Sequence, residues 1–241
     1  MLKTPALRQF GRLLGLLLLS LLALQLYFLL RIALMTLIDP QSTSFQRSEA
    51  WRLLTERGRI DWSQQWVADD RIAATLKRAV IASEDAAFTE HGGVEWDAIE
   101  RAWDRNQRAE VRAEQRNQHS KRPPVQPKVV GGSTITQQLA KNLFLSGERT
   151  PLRKAQEFVL TYALEACLSK RRILEIYLNN VEWGEGLFGA QAAARHYYRV
   201  DAAQLGAFPA ARLAVMLPAP KRFEKRPGSP YVTERAATVL A

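Results

Sequence analysis

The chain has 241 residues, of which 47% are hydrophobic, and its formal net charge is +10. This length accommodates a membrane segment and one folded domain, because domains typically span roughly 100 to 200 residues. The basic balance favours anionic partners, namely nucleic acid, phospholipid surfaces or pyrophosphate-bearing substrates. The single cysteine, Cys167, excludes an intrachain disulfide and a cysteine-rich metal site, and its apolar neighbours predict an ordinary buried thiol.

The N-terminal region predicts a transmembrane helix. Residues 13–30 carry no charge, and apolar character resumes one residue later, which is long enough for the ~20 residues that cross hydrocarbon. Three basic residues precede this run: Lys3, Arg8 and Arg12. The positive-inside bias therefore places residues 1–12 in the cytoplasm and everything after the span on the far side. Because no small-x-small cleavage site is evident, we interpret residues 13–38 as an uncleaved anchor.

The polar segment that follows, residues 39–68, contains three tryptophans: Trp51, Trp62 and Trp66. Tryptophan is enriched at membrane–water interfaces, so the segment suits a juxtamembrane position. Ordinary core aromatics would explain the same residues equally well. The folded domain is expected to occupy residues 69–241.

A helix is predicted to begin at Asp69 and Asp70, which suit an N-cap, because apolar residues then recur at helical spacing. These residues are Ile72, Leu76 and Val80. Continuing the stripe by four positions reaches Glu84. A carboxylate on an inward face loses water unless it lines a cleft, and that loss raises its pKa. Glu84 is therefore a candidate general base.

Residues 104–128 have almost no apolar content, seven Lys or Arg against three Asp or Glu, and three prolines. This composition predicts a mobile basic loop. A solvated charged loop is favoured over nucleic-acid binding, because no aromatic residues are interleaved for base stacking. Elsewhere the spacing predicts helices over residues 152–170, 171–178, 189–199 and 209–216. No stretch alternates convincingly with period two, so the fold is predicted to be mainly α.

The polar stretch GGSTITQQLAKN, residues 131–142, predicts a capped helix. Helical continuation aligns Thr134 with Gln138 and Gln137 with Lys141, so one face offers hydroxyl, amide and ammonium groups. Such a face suits a sugar and phosphate ligand, and a solvated polar helix face remains an equally open explanation.

Arg153 and Glu157 stand one helical turn apart, with Lys154 beside them. An exposed ion pair of this kind contributes at most ~0.5 kcal/mol. Three neighbouring charges can alternatively hold a phosphate.

Five ordered motifs, together covering about residues 69–223, resemble the family 51 glycosyltransferases that polymerise bacterial peptidoglycan. They are SEDAAFTEHGG, GGSTITQQLAKN, RKAQE, SKRRILEIYLNNVEWGEGLFGAQAAARHYY and ARLAVMLPAP. The resemblance implies a mainly helical, lysozyme-like fold with a large lobe and a smaller hydrophobic lobe that dips into the membrane. It implies the monofunctional form, since the sequence contains no S-x-x-K transpeptidase motif.

The resemblance also implies site residues. Glu84 matches the catalytic base and Glu157 the second carboxylate. The expected substrate-binding residues are Asp85, Phe88, His91, Gly93, Ser133, Thr134, Gln137, Gln138, Lys141, Asn142, Arg153 and Lys154. Two or three carboxylates leave open whether a divalent cation, Mg²⁺ or Mn²⁺, is held as well.

The implied reaction is polymerisation of lipid II into glycan strands, with inverting displacement of polyprenyl pyrophosphate. The expected partners are lipid II, a lipid-linked glycan strand, the bilayer and other cell-wall synthases, with no nucleic acid. The expected location is the bacterial inner membrane, with a periplasmic catalytic domain. Two alternatives stay open, namely a lysozyme-like lytic hydrolase and a basic membrane-anchored binding scaffold.

Overall fold

The described part of the chain is mainly helical, as the sequence predicted. The computed structural model describes residues 5–118, 131–148 and 150–240. The helices in these ranges are α1 (Pro5–Leu34), α2 (Ser44–Arg57), α3 (Ala74–Glu84), α4 (Trp96–Gln118), α5 (Ile135–Phe144), α6 (Pro151–Cys167), α7 (Lys170–Asn180), α8 (Ala190–Tyr198), α9 (Ala207–Met216), α10 (Pro220–Phe223) and α11 (Pro230–Leu240). The helices predicted over residues 152–170, 171–178, 189–199 and 209–216 correspond to α6, α7, α8 and α9.

Three short strands form one small sheet in the order β1-β3-β2: β1 (Ser63–Gln64), β2 (Glu182–Gly184) and β3 (Leu187–Phe188). Strand β3 pairs in parallel with β1 and antiparallel with β2. The sequence did not predict this sheet, because strands of two or three residues are too short to display a period-two pattern.

Helix α1 is long and apolar enough to cross a membrane over Arg8–Leu34. The helix ends at Leu34, and a turn follows, so residues 35–38 of the predicted anchor lie beyond the helix. Most leucines of α1 are exposed, whereas Ile32 and Met35 are buried in the domain core. The end of α1 is therefore part of the folded domain.

The last third of α1 packs against α5 and α6. Gln25 and Gln156 exchange two amide hydrogen bonds, of 2.9 and 3.0 Å. The ring of Phe28 meets the ring of Phe144 edge-on, with centroids 5.4 Å apart. Because hydrogen bonds and ring contacts are directional, they fix the rotation of α1 about its own axis.

The segment predicted to be juxtamembrane, residues 39–68, is folded onto the domain, with α2 packed against α5. Trp62 stacks on Phe188 with ring centroids 4.5 Å apart, and Trp66 is partly buried against the core. Trp66 is therefore a core aromatic, whereas Trp62 is 37% exposed and covers Phe188 from the surface. Trp51 is 68% exposed, so for this residue an interfacial position stays a prediction.

Helix α3 carries the predicted inward stripe and ends at Glu84. Its buried side chains are Leu76, Ala79 and Val80. The predicted N-cap at Asp69 and Asp70 is wrong, because these residues form a separate 3₁₀ turn and Ala73 precedes α3 without a side-chain cap. The Asp69 carboxylate instead pairs with Lys77 at 2.6 Å, which ties the turn to α3.

The structure corrects the predicted mobile loop over residues 104–128. Helix α4 continues through Gln118, so residues 104–118 are helical, and residues 119–128 lie outside the described part of the chain. The prediction weighed low apolar content, whereas Ala, Glu, Gln and Arg are good helix formers whatever their polarity. Asp104 and Arg108 also form an ion pair of 3.6 Å one turn apart, which supports the helix.

The core lies where the middle helices meet. Helix α9 packs against α3 and α11, and α5 packs against α6 and α7. The largest fully buried side chains include Leu76, Leu139, Leu143, Leu160, Leu164, Tyr177 and Trp183. This packing holds the end of α3 close to the start of α5.

A buried charged cluster joins α2, β2 and α10. The ammonium group of Lys221 pairs with Glu49 and lies 3.5 Å from Oε1 of Glu182. Burial opposes ionisation of Glu49, but hydrogen bonds from Arg52 and Lys221 outweigh it and lower the pKa of Glu49. Burial raises the pKa of Glu182 to about 7, where the charge of Lys221 opposes the shift and that of Glu49 adds to it.

We predict that Glu182→Gln stabilises the folded chain at alkaline pH relative to the wild type. A carboxyl whose pKa is raised on folding loses stabilising free energy as pH rises from its ordinary pKa to its folded one, on the order of 2 to 3 kcal/mol here. The glutamine variant lacks this loss. Urea unfolding of the full chain in detergent measures the free energy of unfolding. The excess of Glu182→Gln over the wild type in this free energy should be larger at pH 8 than at pH 5.

The matched control is Glu234→Gln, which removes an exposed carboxylate from α11. This control should show the same stability difference from the wild type at both pH values. A Glu182→Gln advantage that is equal at pH 5 and pH 8 would contradict the assignment of a raised pKa.

Candidate active site

A cleft of about 390 Å³ lies between the start of α5, the first turns of α6 and strand β2. It is lined by eight of the residues singled out in the sequence: Ser133, Gln137, Gln138, Lys141, Asn142, Arg153, Lys154 and Glu157. The opposite wall includes Phe45, Val181, Glu182, Leu217 and Pro220. The cleft therefore unites two polar motifs that the chain carries separately.

Glu84 is hydrogen-bonded to Gln138, which lines the cleft. The amide nitrogen of Gln138 donates to Oε2 of Glu84 at 2.9 Å, and the hydroxyl of Tyr177 donates to Oε1 of Gln138 at 3.0 Å. The tyrosine thereby fixes which end of the amide faces the carboxylate. Sequence reasoning assigned no role to Tyr177, although it lies within the fourth motif.

Opposing effects act on the ionisation of Glu84. Burial raises its pKa, and the charge of Asp85 raises it further. The hydrogen bond from Gln138 and the charge of Lys141 lower it. The carboxylate at the end of α3 and the ammonium group on α5 are thus close enough to interact, as a shared site requires.

Thr134 and Gln137 build the start of α5. They form a capping box, in which the threonine hydroxyl accepts from the backbone of Gln137 and the glutamine side chain accepts from the backbone of Thr134. The threonine hydroxyl also donates to the carbonyl of Gly93 at 2.6 Å. Thr134 is 3% exposed and its hydroxyl is engaged within the protein, so its contact with substrate stays a prediction.

Asp85 and His91 connect the end of α3 to the same helix start. Oδ2 of Asp85 accepts from the backbone N–H of Ile135 at 2.9 Å. The N–H of Gly93 donates to Nδ1 of His91, so Nε2 carries the proton and donates to Oδ1 of Asp85 at 2.8 Å. These polar atoms are used in hydrogen bonds that join the end of α3 to the start of α5. Substrate contacts of Asp85 and His91 stay a prediction.

The turn between α3 and α4 is packed against α6. The ring of Phe88 is 1% exposed and lies under the ammonium group of Lys170 at 4.6 Å, so its contact with substrate stays a prediction. Gly93 has φ +92°, and a Cβ there would lie 2.7 Å from Cγ of Glu165. Only glycine fits this conformation and this space, so the turn requires Gly93, and its contact with substrate stays a prediction.

The start of α6 places two cations on one buried carboxylate. Glu157 is 3% exposed and pairs with Nη1 of Arg153 at 3.3 Å and with the ammonium group of Lys154. The alternative of an exposed intrahelical pair is therefore excluded. Nε of Arg153 is buried without a hydrogen-bond partner among the described residues, and Arg153 also lines the cleft.

The divalent cation that the sequence left open finds little support in these side chains. Within the described ranges, Asp85, His91 and Glu95 form one group whose ligand atoms could converge on a metal ion. The first two are hydrogen-bonded to each other, and Glu95 pairs with Arg101 at 2.6 Å. Hard cations prefer oxygen ligands, and this set would first have to give up its internal bonds.

Comparison with known proteins identifies the family. The family model described as Transglycosylase matches residues 52–241. A protein of Burkholderia pseudomallei (strain K96243), named biosynthetic peptidoglycan transglycosylase, is 52% identical over 218 residues, or 90% of this chain and 79% of the relative. A protein of Bordetella pertussis with the same name is 54% identical over 201 residues, or 83% of this chain and 78% of the relative.

These matches confirm the resemblance found in the five motifs, and they extend it beyond the motifs to most of the folded domain. The family model alone covers far more than half of the chain. The chain belongs to the transglycosylase family.

Proposed function

We propose that this chain polymerises the glycan strands of peptidoglycan from lipid II, by inverting displacement of a polyprenyl pyrophosphate. The supporting observation is the placement of Glu84 beside a cationic cleft. Gln138 lines the cleft and donates to Glu84, and the charge of Lys141 acts on the same carboxylate. The names of the relatives support the same reaction.

Glu84 is the general base in this proposal. It takes the proton from a free sugar 4-hydroxyl of the acceptor, whose oxygen then attacks the anomeric carbon of the donor from the face opposite the pyrophosphate. Burial brings the pKa of Glu84 closer to neutral, while Gln138 and Lys141 keep the ionised form accessible. A base of this kind typically contributes ~10² to 10⁴-fold to the rate.

The cationic wall receives the leaving group. Negative charge builds on the departing pyrophosphate, and Lys141, Arg153 and Lys154 line the cleft where that charge would lie. Arginine suits bidentate contact with phosphate. Glu157 orients Arg153 and Lys154 from behind, since both cations pair with its buried carboxylate.

The neutral polar side chains of the cleft are suited to the sugar. Ser133, Gln137 and Asn142 lie beside the cations and carry hydroxyl and amide groups. Such groups can donate to and accept from the hydroxyl and acetamido groups of an amino sugar. A single displacement requires no covalent glycosyl-enzyme, so Glu157 need not act as a nucleophile.

Helix α1 serves as a single-pass anchor in the bacterial inner membrane, with the N-terminus in the cytoplasm and the catalytic domain in the periplasm. Three basic residues at the start of the chain support this orientation. Both substrates are lipid-linked, so an enzyme tethered to the same leaflet searches a surface rather than a volume. Other cell-wall synthases are the expected protein partners.

The proposed reaction is tested with the purified full chain in detergent and lipid II as substrate. Strands that lengthen while polyprenyl pyrophosphate is released support polymerisation. Release of soluble fragments from finished peptidoglycan, without use of lipid II, would instead support a lytic hydrolase. Binding to anionic vesicles without either reaction would support a scaffold.

Glu84→Gln should lower the polymerisation rate by about 10² to 10⁴-fold, because glutamine cannot accept the hydroxyl proton. The variant keeps the size of the side chain, so far-UV circular dichroism and the melting temperature should stay close to wild type. Glu110→Gln removes an exposed carboxylate from α4 and is the matched control. Polymerisation by Glu84→Gln at the rate of this control would remove Glu84 from the role of base.

Lys141→Ala should lower kcat/KM for lipid II by roughly 10 to 100-fold, the size expected when a charged hydrogen bond to phosphate is lost. Lys225→Ala, which removes an exposed lysine, should leave kcat/KM unchanged. The measurement is initial-rate kinetics with labelled lipid II. Equal values for both variants would mean that Lys141 does not contact the leaving group.

A further inference from the structure

A second cavity, of about 240 Å³, lies between α4 and α6. Its apolar wall consists of Trp96, Ile99, Ala102, Trp103 and Phe158. We refer to this cavity as the aromatic groove. Its lining differs from that of the cleft, where amides and cations dominate. An apolar wall of this kind selects a hydrocarbon ligand.

The aromatic groove joins the cleft directly. Ser133, Gln137 and Lys154 line both cavities. A ligand that places phosphate against the cations of the cleft can therefore continue into the groove without leaving the protein surface.

Gln137 at this junction has an unused donor. Its side chain is 1% exposed, and its Oε1 accepts from the backbone N–H of Thr134 at 3.1 Å. This bond fixes the orientation of the amide, and Nε2 has no hydrogen-bond partner within the described ranges. A buried N–H group left unpaired is costly, so a ligand oxygen at the junction would stabilise it.

The tryptophans of the groove are exposed to an unusual degree for large apolar side chains. Trp96 is 60% and Trp103 65% exposed, although the ring of Trp96 stacks on that of Phe158 with centroids 5.7 Å apart. Neighbouring exposed aromatic residues that line a concave surface mark a binding site more often than isolated ones do.

The groove lies near the contact between α6 and α1, the proposed anchor. Gln25 is five residues inside the charge-free run, or about 7.5 Å at the rise of an α-helix, and it is hydrogen-bonded to Gln156 on α6. Phe158 of the groove lies two residues further along α6. The exposed apolar residues of α6 also include Leu152, Val159 and Tyr162. With α1 as the anchor of the proposed function, the groove would lie within reach of the acyl chains of the leaflet.

We infer that the aromatic groove holds the prenyl units next to the pyrophosphate of the lipid-linked donor. The inference rests on the proposed function, which places the pyrophosphate against Lys141, Arg153 and Lys154. The prenyl chain is attached to that pyrophosphate, so the first isoprene units must leave the cleft beside it. The groove offers an apolar path that starts at Lys154 and Gln137 and opens beside α6.

A phospholipid acyl chain would fit the apolar wall equally well. It does not bring a pyrophosphate to Gln137 and Lys154, however, because its headgroup phosphate is separated from the acyl chain by a glycerol backbone. The two occupants therefore differ in whether phosphate and chain must bind together, and this difference can be measured.

The kinetic test uses the full chain in detergent and compares two donors, one with a prenyl chain and one with a methyl group in its place on the pyrophosphate. Trp103→Ala should raise KM for the prenyl donor roughly tenfold, since partial burial of a large apolar side chain is lost. It should leave KM for the methyl donor unchanged, because that donor places no hydrocarbon chain in the groove. Trp51→Ala removes a tryptophan of similar exposure from α2 and is the matched control. Equal KM values for the two variants would overturn the inference.

The direct test uses a polyprenyl pyrophosphate with a photoreactive diazirine on its second prenyl unit, in vesicles of phosphatidylethanolamine and phosphatidylglycerol. We expect the label on peptides from α4 and α6. Excess unlabelled polyprenyl pyrophosphate should displace it, whereas the corresponding polyprenyl alcohol should not. Labelling elsewhere, or equal displacement by the alcohol, would mean that the groove only faces bilayer lipid. Labelling does not require turnover, so the groove and the proposed reaction can fail separately.

Discussion

One carboxylate, Asp85, holds the two halves of the site together. Its two oxygens accept from the backbone N–H of Ile135 and from the ring of His91. An anion at a helix start is stabilised by the unpaired N–H groups and by the helix dipole. Because Glu84 directly precedes this residue and Gln138 lies one turn into α5, the same bond sets the distance between the candidate base and the cationic cleft.

The parts of this arrangement that follow from local periodicity could be predicted. Helical spacing placed Glu84 on the inward face of α3, and the helix ends at that residue. Helices α6 to α9 likewise correspond to predicted segments. The residue types of RKAQE indicated a phosphate site. The structure buries Glu157 against two cations, and phosphate binding there stays a prediction.

The parts of the site that depend on tertiary packing could not be predicted from the sequence. Phe88 and Thr134 belong to motifs rich in polar residues, yet a sequence does not distinguish a side chain that contacts substrate from one that supports its neighbours. Likewise, Tyr177 gave no signal, because its hydroxyl acquires a role only when α7 packs against α5. Trp96, Ile99 and Trp103 have the helical spacing of the first turns of α4, but the continuation of the helix was missed, since composition alone was weighed over residues 104–118 and helix propensity was not.

The reciprocal amide pair between Gln25 and Gln156 makes α1 more than an interchangeable tether. A chimaera with an unrelated apolar segment would keep a helix of suitable length and hydropathy, but it would leave the amide of Gln156 without its partner. A truncated fragment without α1 would also uncover the part of the core that Ile32 covers. Inhibitor screens against such fragments would thus probe a surface that is covered in the intact enzyme.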